Sequence, residues 1–336
     1  MRDIIAERLN LFIKNNEILE EVVGLGFSSV SLMRKCAALN LTTKNKIADK
    51  SKIEESVKII KDKTSIFSNF RGNNLLNTAI NIYEEDNVSD ALEDINAIYK
   101  GLKEEFFNNQ YLILAAQIIY FARKRAVVSK AITDTGLAYG HMKKDHIFLT
   151  GQEDICAAAL IATTSINLED TFREVEDCYT LLNAAGFPKR NELQGLCNML
   201  SIINIEKHEK CKMVVKMNNT LNNHDIPLRR YAMPLLGITP FICDDYDLFA
   251  KEAKEVSDKL KKIRGFGFFS ISGYIRDMIA VSIVASVYAE SLNEELNEQM
   301  ISLTNNASLN IVIAMQIATA SAAAAAGAAA ASSASN

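Results

Sequence analysis

The sequence predicts an all-α protein: a solenoid-like stack of helix pairs that repeats about every 80 residues, four helices to a unit. Three observations predict it. Helix breakers are scarce, with only Pro188, Pro227, Pro234 and Pro240 and 14 glycines in 336 residues, while Leu, Ala, Ile, Lys and Glu fill the segments between them. Apolar residues recur at helical spacing, as in Phe172, Val175, Tyr179 and Leu182, one face of a helix that Gly186 closes. The same stripe stands 80 residues earlier as Leu92, Ile95, Tyr99, Leu102 and Phe106.

The elements follow from that ruler. Let the striped helix be B. Its first copy carries Phe12, Leu19 and Val22, with Asn15 breaking the stripe, and its corner is Gly26–Phe27. The aromatic landmarks Phe27, Phe107, Phe187 and Phe266 mark the B-to-C corner of each unit and are expected to pin that turn to the core. Helix C is predicted near residues 30–39, 110–121, 192–203 and 273–287, and helix D near 50–62, 124–140, 210–222 and 291–304. Helix A precedes B, with copies starting near 73, 153, 229 and 308. Thr150 and Glu153 have the spacing of a capping box for the second of these. The run Gly24–Leu25–Gly26–Phe27 lacks both a preceding strand and a third, helix-opening glycine, so it reads as a corner and not as a phosphate loop. The expected organisation is one helical domain over 1–320, wound as a right-handed superhelix, and an Ala/Ser-rich tail over 321–336.

The stretches FLTGQEDICAAALIA, YTLLNAAGFPKRNELQGLCNML and LKKIRGFGFFSISGYIRDMIAVSIVAS, with the Ala/Ser-rich end, resemble an uncharacterised bacterial family, the domain of unknown function numbered four thousand and three. The resemblance implies a bacterial, largely helical protein. It carries no catalytic residue to transfer.

Composition narrows the function. A net charge of −4 argues against a general nucleic-acid binder. Cys36, Cys156, Cys178, Cys197, Cys211 and Cys243 form no CxxC pair and read as buried apolar residues of a reducing compartment. The charged N-terminal segment has no signal-peptide pattern, so a cytoplasmic location is expected. Residues 299–336 carry no charged side chain. They are read as a fraying terminal helix, with a membrane anchor or self-association through small residues as rivals.

Chemistry is sparse. His208 and Cys211 share a helix turn, but two ligands among lysines do not make a metal site. His141, His146 and His224 read as exposed helix ends, and Glu84–Glu85 and Asp244–Asp245 as residues at helix ends and starts. No nucleophile motif, cofactor loop or metal cluster is present, so no cofactor is expected. Lys50, Lys130 and Lys210, spaced at the period near the start of each helix D, are the candidate partner-binding ridge. The function expected is a non-catalytic protein-binding scaffold whose partner is a protein, acidic if the ridge recognises it. The alternatives are an enzyme with a site between helices, or a self-assembling or membrane-peripheral protein using the tail.

Overall fold

The computed structural model of the chain describes residues 1–23, 28–145, 149–267 and 270–290. The corner at Phe27, His146, the fourth D segment, the last A segment and the tail lie outside the described residues. The described chain is helical, with no strand in it.

The helices form consecutive hairpins. These are α1 (Asp3–Val23) with α2 (Ser28–Thr43), α3 (Lys50–Lys63) with α4 (Asn73–Ile82), and α5 (Val88–Glu105) with α6 (Tyr111–Ala122). Then come α7 (Val128–Asp145) with α8 (Ile155–Thr164), and α9 (Leu168–Ala184) with α10 (Asn191–Leu200). Next, α11 (Lys207–Asn223) packs on the 3-10 segments Arg230–Gly237 and Thr239–Phe241, and α12 (Tyr246–Lys261) packs on α13 (Gly273–Glu290).

The two members of a hairpin differ in composition, and that sorts them into two rows. The first member buries one stripe: Ala91, Leu92, Ile95, Ile98, Tyr99 and Leu102 on α5. The second is buried almost all round, as on α6, where only Phe121 is partly exposed. A one-striped helix suits an outer row and a wholly apolar one an inner row between two layers.

The rows close on themselves. Helix α13 packs against both α1 and α2, and α12 touches α1. Arg2 bonds Glu252 through two nitrogens, at 2.8 and 3.0 Å, and lies over the Tyr288 ring at 4.5 Å. Arg8 reaches Ser286 Oγ at 3.1 Å and Glu290 at 2.7 Å, and the Phe12 and Phe266 rings meet edge to face at 5.6 Å. An open superhelix would leave its first and last pairs apart; here the first and last described pairs are joined.

Local chemistry sets the corners. Asn87, Asn167 and Asp245 cap α5, α9 and α12 by accepting backbone N–H bonds from the first turn. Gly186, at φ 98°, ends α9, and the Phe187 N–H closes onto Leu182 O at 3.0 Å. Asn15, the misfit of the first stripe, is fully buried. Its amide donates to Thr42 Oγ1 and Lys46 O and accepts from the Ala48 N–H, so it latches the α2–α3 loop.

Three expectations are corrected. Phe187 and Phe266 are buried, but Phe107 is 93% exposed; Phe106 takes its place, packing edge to face on Tyr139 at 5.3 Å. The copy of helix A near 229 is a pair of 3-10 segments, because Pro234 and Pro240 lack the N–H groups an α-helix needs. The Thr150–Glu153 capping box does not form: Thr150 Oγ1 bonds Met142 O at 3.0 Å, and Asp154 accepts the Gly151 N–H at 2.8 Å.

Alternating hairpins gather their connections at two ends. Outer-to-inner loops meet one another at one end, as Asn69 and Asn108 do at 2.9 Å. Inner-to-outer loops meet at the other, where Lys46 binds Glu84 and Arg123 binds Glu85.

Candidate functional site

A groove of 770 Å³ opens at the inner-to-outer end. Two turns build it. One is Thr164–Asn167, between α8 and α9; the other is Ser201–Glu206, between α10 and α11. The first turns of α9 and α11 complete the walls through Asp170, Glu174, Lys207 and Lys210.

Each charged group on the groove has a partner. Lys210 is 1% exposed, and its ammonium donates to Leu200 O at 2.7 Å and Ile203 O at 3.0 Å and pairs with Glu174 at 2.7 Å. The carbonyls at the end of α10 and the following turn need donors, and the lysine supplies them. Lys207 pairs with Asp177 and Asp170 with Arg173. Glu206 caps α11, accepting from the backbone of His208 at 2.9 Å and of Glu209 at 3.1 Å. The His208 ring bonded to it, and those N–H groups, hold its carboxyl down at about 2.

What the groove leaves unsatisfied is apolar. Ile166 is fully exposed at one lip, and Ile202 and Ile205 are partly exposed on the facing turn. Asn204 stands exposed beside them, and Ser165 is tied to Thr171 at 3.0 Å. Such a lining offers apolar contact and a few amide bonds.

The lysines of the expected ridge do not form one surface. Lys50 is exposed and pairs with Glu21 at 2.9 Å; Lys130 is exposed and pairs with Asp134 one turn along its own helix; Lys210 is buried. They occupy the first, third and fourth positions of α3, α7 and α11. Each helix residue turns about 100° from the last, so equal spacing in the chain does not give equal direction.

The other candidates separate as well. His208 is exposed while Cys211 is buried. His141 stacks on Phe172 at 3.9 Å, and His224 bonds Asp247 at 3.0 Å. Cys36, Cys156, Cys178, Cys197 and Cys211 are buried and Cys243 is half-buried. Burial pushes the Cys36 and Cys243 thiols up to about 12. Among the described residues no group of three His, Cys, Asp or Glu side chains could hold a metal ion.

One polar feature escaped the sequence reading. Asn40 donates to Asn81 at 2.8 Å, Asn81 to Gln117 at 2.6 Å, and Gln117 to Thr78 at 3.0 Å. All four are buried, on α2, α4 and α6, so a chain of amides ties three inner helices together. The signal was a single glutamine inside the apolar run YLILAAQIIYFA.

Fold and groove together define an all-helical protein with an open, apolar-lipped groove. The chain belongs to the family described as protein of unknown function (DUF4003), whose model matches residues 20–318. It is similar to the uncharacterised protein YeaA of Bacillus subtilis (strain 168), 24% identical over 177 residues, which cover 51% of this chain and 52% of the relative. The chain thus spans about half the length of the curated relative it matches. No solved structure matches. Among the described residues no helix is long and apolar enough to cross a membrane.

Proposed function

We propose that this is a protein-binding scaffold whose groove between α9 and α11 takes an apolar-anchored segment of a partner polypeptide. One observation carries the reading: the groove's charged side chains are already paired, while Ile166 at one lip is exposed and Ile202 and Ile205 on the facing turn are partly exposed. Recognition there rests on apolar anchors fitted into a preformed site.

The finer architecture belongs to the same reading. The chain is a single helical repeat of about 80 residues per unit. Support comes from the caps Asn87, Asn167 and Asp245, which stand close to the period apart at the starts of three B helices. A reducing, cytoplasmic setting suits the buried free thiols.

A photo-crosslinking residue placed at Ile166 or Ile205 in the native cell tests the reading. It should capture one defined polypeptide, and the same probe at Lys58, exposed on α3, should not. Ile166→Asp should reduce capture from position 205 by about tenfold or more. Capture as strong from position 58, or none from either groove position, contradicts the proposal.

A further inference from the structure

The opposite end of the molecule, where outer helices hand over to inner ones, has a different character. Phe67 and Phe107 are 91% and 93% exposed, and Ile66 beside Phe67 is largely exposed too. They stand on neighbouring loops that the Asn69–Asn108 bond holds together. Large apolar side chains clustered at loop tips are unusual on a surface with no use for them.

The same end is basic. Lys61 and Lys63 close α3, where cations complement the helix dipole. That account fails for the others. Arg190 occupies the N-cap of α10 with Lys189 before it, and Arg229 the N-cap of the segment Arg230–Gly237. A cation at a helix N-terminus is disfavoured by the dipole. Lys189, Arg190 and Arg229 are exposed, and none is paired with a carboxylate among the described residues. Acids stand on this end as well, among them Asp62, Glu104 and Glu105, but exposed bases are in excess. The chain as a whole is acidic, at −4, so this excess sets one end apart.

We infer that this end docks on an anionic phospholipid surface, with Phe67, Phe107 and Ile66 entering the headgroup region and the unpaired bases facing the lipid phosphates. Exposed apolar tips and an excess of exposed cations on the same end of the molecule match the two attractions a bilayer surface offers: apolar insertion and a negative surface potential. The tips project outward from loops instead of lining a groove, which favours a deformable lipid interface over a folded partner. This contact is independent of the groove, which lies at the other end.

Flotation of the full chain with vesicles tests it. The chain should float with phosphatidylcholine vesicles containing about a third phosphatidylglycerol and not with pure phosphatidylcholine, and should be released as salt rises. Phe67→Ser with Phe107→Ser should lower the floated fraction by about tenfold. Lys189→Gln with Arg190→Gln and Arg229→Gln should remove most of the salt-sensitive part. Unchanged circular dichroism and melting of these surface variants would show that the fold is intact. No flotation of the wild type at low salt overturns the inference. So does flotation of the Phe variant equal to wild type, which would put the contact elsewhere in the chain. Binding to poly(U) or polyglutamate without binding to vesicles overturns it too, and would assign this end to a macromolecular partner.

Discussion

Asp154 shows how one buried carboxyl couples the fold to pH. It is 1% exposed at the start of α8. Burial, and then the charge of Glu153, push its carboxyl well above the usual range; the Gly151 N–H and the Asn191 side chain pull the other way without cancelling them. Tyr139 on α7, also shifted upward, and Cys156 on α8 are the other titratable groups that feel it. The sign is fixed by that direction. Because the folded state holds the proton more tightly than the unfolded chain, stability falls as pH rises from the unfolded carboxyl range through the folded one. Asp154→Asn keeps the shape without the charge. It should stabilise the protein at neutral pH and flatten the decline of stability with rising pH in urea unfolding. A variant whose pH profile parallels wild type would show that Asp154 is ionised at little cost. The sequence hid this residue because nothing in TGQEDICAAA says which of its two acids turns inward. Lys210 was hidden for the same reason: its place at the end of α10 depends on where α11 begins, not on an 80-residue count.

At the scale of the helix, apolar periodicity was enough to place most elements. The stripes of α5 and α9 and the all-round apolar runs of α6 and α8 each have one stable use, and the chain puts them to it. Misreadings fell where a local rule competes with the pattern. Pro234 and Pro240 turned an apolar run into 3-10 segments, and Gln117 is the one amide in a run that is otherwise aliphatic and aromatic. Gln117 predicts a measurable cost. Gln117→Leu strands the buried Asn81 amide, so it should destabilise by about 2 kcal/mol in chemical denaturation. Adding Asn81→Leu should not recover the loss, because it strands the buried Asn40 amide that donates to Asn81 at 2.8 Å. A single variant as stable as wild type would mean the amide chain contributes only register. The groove was legible in part. Its turns were predicted as breaks between helices, but which turns face each other is set by packing that no single stretch encodes.

The described molecule differs from an extended helical repeat in one respect that governs its energetics: its first and last described hairpins touch. In an open array each unit leans only on its neighbours, and terminal units fray. Here α1 is held by its own hairpin partner and by α12 and α13 through Arg2, Arg8 and Phe12, so no described end is left to fray. Closure also divides the surface into two ends of different character, a groove with paired charges at one and exposed apolar tips with exposed bases at the other. Neither end would be a single face if the row wound outward as a superhelix. Native-state hydrogen exchange on the full chain tests the closure most directly. The closed arrangement predicts that the central amides of α1 exchange as slowly as those of α6 and α8, by global unfolding alone, and that Arg2→Ala with Arg8→Ala speeds α1, α12 and α13 together. Fast exchange of α1 in the wild type, with α6 and α8 still protected, would contradict it.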